Sequence, residues 1–348
     1  MHPLHVSVCA ICMVVITTVA CGKDTVPTAP SSTATTTEAA TPTPTPTPSP
    51  TPTPTTRQPV FVVLFTHIED NMPGGALTAA SARTMYGGVR SALVDMGERT
   101  RRHSVPWSLQ PDWKLLEAAL LFEDAAAMAS TGGVNVFRYL KSTLGTAIDP
   151  HSHEGGGYNY TDVAHLLDLL GVGGSTVIGG HIWDPALPQF QAWDRFRSPV
   201  GGRRYPTAIW RGDILMGSGT PNHVNDPIIS GVWRPRDRSR YFEDDPAGNI
   251  AAVGAFKSDL AGISELVALS QSGTQPSNCL LTASYAIRPA DFIVGGSASA
   301  VESNVLDPLS ALRARGDIEL TTFTDLISIW RQRFGARACT YDGQRFTF

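Results

Sequence analysis

Six consecutive residues, Val60-Phe61-Val62-Val63-Leu64-Phe65, are apolar and β-prone with no polar interruption. A strand with one face in water alternates apolar and polar side chains, so an unbroken run predicts a strand buried on both faces, as in a parallel sheet covered by helices. The run stops at Thr66-His67-Ile68-Glu69-Asp70-Asn71, followed after Met72 by Pro-Gly-Gly. Side chains capable of chemistry therefore stand at the carboxyl end of the first strand.

The same order recurs along the chain. Helical spacing predicts helices over Thr84 to Met96, Asp112 to Met128 and Val134 to Leu144, the last stopped by Gly145. A short strand at Thr146 to Asp149 leads directly into Pro150-His151-Ser152-His153-Glu154 and three glycines. Thr161 is placed to cap a helix carrying Val163, Leu166, Leu167 and Leu170, and a strand at Ser175 to Gly179 feeds Gly180-His181-Ile182-Trp183. Further strands are expected at Thr207 to Trp210, Ile228 to Trp233, Ile250 to Gly254, Cys279 to Tyr285 and Ile318 to Leu320. Helices are expected at Asp259 to Ser270, Ser303 to Arg315 and Thr324 to Phe334. Such alternation implies parallel strands with helices outside: an α/β fold, specifically a (β/α) barrel, with a distorted seven-stranded form among its options. In barrels of this kind reactive groups gather at the carboxyl ends of the strands, where both polar clusters fall.

The ends read differently. Residues 1–20 look like an export signal built on the apolar run Val6 to Ala20, and Thr18-Val19-Ala20-Cys21-Gly22 reads as a lipoprotein cleavage box that would leave Cys21 as a lipid anchor. Residues 21–58 are a linker rich in Thr and Pro. Its alternating stretch Thr41 to Thr55 has nothing to bury and, in polyproline II form, reaches roughly 45 Å at about 3.1 Å per residue. Residues 59–348 then form the folded domain, exported and held at the cell envelope. Two cysteines remain in it, Cys279 and Cys339, either disulfide-bonded or separately buried. The net charge of −4 with scattered arginines argues against a nucleic-acid partner.

Taken together, Thr66-His67-Ile68-Glu69-Asp70, Ile148-Asp149-Pro150-His151-Ser152-His153-Glu154 and the final strand before Thr-Phe-Thr-Asp-Leu resemble the polysaccharide deacetylase family over most of Pro59 to Gly335. The resemblance implies a divalent metal, most readily Zn2+, held by Asp70, His151 and His153, with Glu154 an alternative third ligand. His-x-His suits zinc because two imidazoles on one loop can converge on a tetrahedral ion. It also implies Glu69 as the base, with His67 standing where some relatives carry the base aspartate, and Arg197 of Arg197-Ser198-Pro199-Val200-Gly201 lining the pocket. The chain departs from the family at Gly155, four residues after His151, and at Leu281-Thr282-Ala283, which has Ala in place of a catalytic His that His181 or His223 would have to replace.

The expected activity is metal-dependent removal of acetyl groups from an acylated polysaccharide, the metal lowering the pKa of a bound water. A glycan-binding barrel without activity and a metallohydrolase of another amide or ester are the alternatives. Trp183, Trp210 and Trp233 would suit sugar stacking.

Overall fold

The alternation hidden inside the apolar run decides the architecture. In the computed structural model, which describes residues 57–181, 192–216 and 227–348, strand β1 (Val60–Ile68) turns Val60, Val62 and Leu64 to one side and Phe61, Val63 and Phe65 to the other. The first set packs with Leu93, Leu115 and Leu166 of surrounding helices; the second meets Val177, Ile214, Met216 and Val253 from strands opposite. Both faces are therefore dry. Each of these six β1 side chains is at most 2% exposed and contributes roughly 1.5–3 kcal/mol by burial.

Along the chain follow α1 (Ala82–Arg102), β2 (Trp107–Pro111), α2 (Trp113–Phe122), β3 (Ala147–Ile148), α3 (Tyr160–Leu169), β4 (Val177–Ile178), β5 (Ile214–Met216), β6 (Ser230–Trp233) and β7 (Ala251–Ala255). The remainder is α4 (Leu260–Gln271), β8 (Thr282–Ala286), α5 (Asp307–Ala314), β9 (Ile318–Thr321), α6 (Phe323–Arg333), β10 (Cys339–Tyr341) and β11 (Phe346–Thr347). One sheet runs β8-β1-β2-β3, with β9 also on β1, and all of these pairs are parallel. A second runs β11-β10-β6-β7-β5-β4, parallel only through β7, β5 and β4, and a small third sheet pairs Val200–Gly201 antiparallel with Ile209–Trp210.

The two larger sheets meet at two seams. At one, a parallel bridge joins His151 to Gly179, and Gly179 N donates to Pro150 O at 3.0 Å. At the other, no ladder forms between β7 and β8. There the Thr282 hydroxyl donates to Gly254 O at 2.5 Å and accepts from Gly231 N at 2.6 Å. The parallel strands β1, β2, β3, β4, β5, β7 and β8 thus curl into a distorted α/β barrel with its helices outside.

Several elements differ from expectation for local reasons. The stretch Asp112 to Met128 is two helices, because Asp124 caps a new one at Ala125–Met128. The cap of α3 is Asn159, in a reciprocal box with Asp162, while the Thr161 hydroxyl donates to Val200 O. The Ser303 to Arg315 helix begins at Asp307, after a helical turn at Ala298–Val301 and a π-turn at Glu302–Leu306. The strand expected at Ile228 to Trp233 runs antiparallel to β7, and the hairpin β10–β11 was not foreseen. Cys279 and Cys339 are disulfide-bonded, with Cα atoms 5.2 Å apart, tying β10 to the approach of β8.

The described residues fall within one compact unit, Thr55–Phe348. The expected export signal, Cys21, most of the Thr/Pro tract, Trp183 and His223 lie outside them. Among the described residues, no helix is long and apolar enough to cross a membrane.

Candidate functional site

Inward-facing positions that are apolar through the barrel turn polar at its carboxyl end. On β1 the inward series Phe61, Val63, Phe65 continues to His67, whose register partner on β2 is Gln110. Two residues beyond Gln110 stands Asp112, and beyond β3 stand Asp149 and His151. A polar layer is thereby stacked on the apolar one by strand periodicity alone.

His151 is the centre of this layer and is fully buried. Its Nδ1 lies 3.6 Å from Asp112 Oδ2 and its Nε2 lies 3.8 Å from Glu69 Oε2. Glu69 Oε2 also lies 3.2 Å from Nδ1 of the exposed His153. The His67 ring packs 4.7 Å from the His151 ring, with its Nε2 3.1 Å from Met216 Sδ. Gly180, at φ +68°, gives the His151 ring its room, since a Cβ there would fall 2.2 Å from the ring.

Electrostatics divide the two imidazoles. Burial works against a charged His151, but the Asp112 carboxylate beside its Nδ1 and the negative charges of Glu69 and Asp70 together hold its pKa above the ordinary histidine value. Burial and then the neighbouring His151 push His153 below that value, favouring the neutral ring. His181 is fully buried, and that burial keeps it well below the ordinary value too.

The expected site residues come together only in part. Glu69, rather than Asp70, is the acid that meets the histidines. Asp70 instead packs against Gly155 and acts on His151 and His153 as a charge at longer range. Glu154, at φ +57°, is gripped by Arg195 at 2.9 Å and by Arg203. Arg197 donates to the carbonyls of Pro235 and Arg236 at 2.7 and 2.9 Å and ties loops together away from the histidines. Asp112 was overlooked because a lone aspartate before an amphipathic helix reads as a cap. It is that cap, accepting from Trp113 N at 2.6 Å, and it supports His151 with its other oxygen. Its place at the end of β2 was the signal available.

A metal fits this set with small adjustment. Single donor atoms of His67, Glu69 and His151 lie within 4.8 Å of one another, and the 3.8 Å between Glu69 and His151 is near the ~3.4 Å that two ligands about 2.1 Å from a tetrahedral ion would show. A carboxylate behind a ligating imidazole, as Asp112 stands behind His151, is the usual support for such a ligand.

The layer opens into a cavity of about 660 Å³. His67, Glu69, Asn71 and His153 line one end; Tyr285, Ile287 and the segments around Pro289–Val294 and Ala300–Val305 line the rest.

No protein-family model matches this chain, and no curated protein matches it. Among solved structures it is similar to a 4-α-glucanotransferase from Thermococcus litoralis, at 10% identity and a TM-score of 0.42 over 78% of this chain and 40% of that one. It is also similar to a GH57 branching enzyme from Thermococcus kodakaraensis, at 9% identity and a TM-score of 0.45 over 78% of this chain and 71% of that one. The chain therefore spans less than half the length of the glucanotransferase.

Neither protein is a polysaccharide deacetylase, and the expected membership of that family, with its metal-dependent removal of acetyl groups, is corrected accordingly. The residues give the physical reason. Position 155 is a glycine against which Asp70 packs, where a Cβ would lie 2.5 Å from Asp70 Oδ2 and displace that carboxylate, and Ala283, in the place of the family's acid, faces the helices within the outer core.

Proposed function

We propose that the cleft at the carboxyl ends of the strands is the active site of a hydrolase that cleaves a linkage in a saccharide-bearing substrate, with Glu69 as its proton-transferring group. The observation that carries this reading is the Glu69 carboxylate, 3.2 Å from His153 and 3.8 Å from His151 at the edge of a ligand-sized cavity. Asp112 stands behind His151, with its Oδ2 3.6 Å from Nδ1, so the ring lies between two carboxylates. In the reaction Glu69 takes a proton from the attacking water and returns it to the departing oxygen, leaving two hydroxyl products and the carboxylate restored. Asn71, Asn304 and Tyr285 on the cavity wall offer hydrogen bonds to sugar hydroxyls. The disulfide fits an oxidising compartment and supports action outside the cytoplasm.

The test is release of reducing ends from α-glucans, mixed oligosaccharides and aryl glycosides by the wild type and Glu69→Gln. A loss of about 10²- to 10⁴-fold in the variant is expected, and equal rates would sink the assignment.

The convergence of His67, Glu69 and His151 favours a second arrangement, in which the three hold a divalent cation, with Zn2+ the first choice. Such an ion supplies a Lewis acid and an acidified water. Glu69 is then a ligand, and the neutral, exposed His153 is left to take the proton. Calorimetric titration with Zn2+, Mn2+ and Mg2+ distinguishes the two. Stoichiometric binding that disappears in Glu69→Gln supports the cation, whereas activity that survives exhaustive chelation excludes it.

A further inference from the structure

The cavity has two chemically different halves. At the Glu69 end stand two imidazoles and a carboxylate. The apolar part of the lining is Phe65, whose ring packs 4.8 Å from that of His67, with Ile287, Pro289, Val294, Val301 and Val305. Ile287, Val301 and Val305 are buried in the outer core and back this wall. Val294, at 64% exposure, is a large apolar side chain left at its mouth. The formal charges on this wall are already occupied. Arg288 is paired with Asp291 at 2.8 Å, and Asp259 accepts from Gly262 N at 2.6 Å as the cap of α4. The uncharged polar side chains on this wall are Ser258, Tyr285 and Asn304, fewer than its apolar ones.

We infer that the substrate carries an apolar group, an alkyl or aryl substituent joined to its polar part, and that this half of the cleft receives it. The inference rests on the reading of the Glu69 end as the active centre. The polar part lies against Asn71, Tyr285 and Glu69, and the apolar part follows the wall from Phe65 toward Val294.

The experiment is calorimetric binding of n-alkyl glucosides, from methyl to octyl and below their micelle-forming concentrations, to the full chain, to Val294→Asp and to Glu69→Gln. Affinity should rise about fourfold per added methylene until the wall is covered. Val294→Asp, a change at an exposed position that the fold can accommodate, should flatten the slope over the last carbons. Competition by n-octanol alone supports the apolar half while counting against the saccharide reading of the other. A flat series in which methyl glucoside still binds and is weakened by Glu69→Gln overturns the apolar half and leaves the active centre standing. Absence of binding by every member, octanol included, also overturns it.

Discussion

His151 faces an acid on each side. Asp112 on Nδ1 and Glu69 beyond Nε2 offset the desolvation that would otherwise keep a fully buried ring neutral. Asp112→Asn separates the charge from the geometry, since asparagine caps a helix about as well as aspartate and α2 should lose less than about 1 kcal/mol. The His151 pKa should fall in this variant, read by NMR titration of the ring, and any cation affinity should drop about 10- to 100-fold. An unmoved pKa would show that Asp112 serves only α2. The histidines and Glu69 were legible from the sequence because they interrupt or follow β-rich runs. Which acid would meet which imidazole was not, because Glu69 and Asp70 are adjacent and differ only in which way the chain leaves β1.

At the level of elements, β1 and the helices were readable wherever periodicity was long. The run Val60 to Phe65 announced burial on both faces, and α6 kept Leu326, Ile327 and Trp330 in the core as its spacing required. Short elements were not readable. The strands β3 and β4 have two residues each and are held by their neighbours rather than by their own propensity. The strand β6 runs antiparallel to both β7 and β10, and its pairing with β10, over 100 residues away, is recorded in no local pattern. The disulfide reinforces that remote pairing. It closes a loop between positions separated by 60 residues, for which chain-entropy reasoning gives about 4 kcal/mol. Replacing Cys279 and Cys339 by serine should lower the unfolding free energy by about that much in a urea titration. A change near zero would mean that β10 is secured by its ladder alone.

For the whole molecule, the cost of placing polar groups inside a barrel should appear in its response to pH. Asp149 is buried within the polar layer, and although Ser175 donates to it at 2.6 Å, burial pushes its pKa up to about 6. Its proton is therefore held more tightly in the folded chain than in the unfolded one. That advantage is complete below the ordinary value of 3.8 and is lost as pH rises through about 6. Asp149→Asn should consequently stabilise the protein at pH 7, by an amount on the order of 3 kcal/mol, and should make no difference below about pH 4. Equal gains at both pH values in denaturant titrations would assign the effect to packing instead. A tether of longer span acts on the same layer. Glu154 immediately follows His153, and its carboxylate is clasped by two arginines more than forty residues further along. The residue next to His153 is thereby anchored to two arginines remote in sequence, so the loop that carries the imidazole is secured at its far side by the segment 195–203.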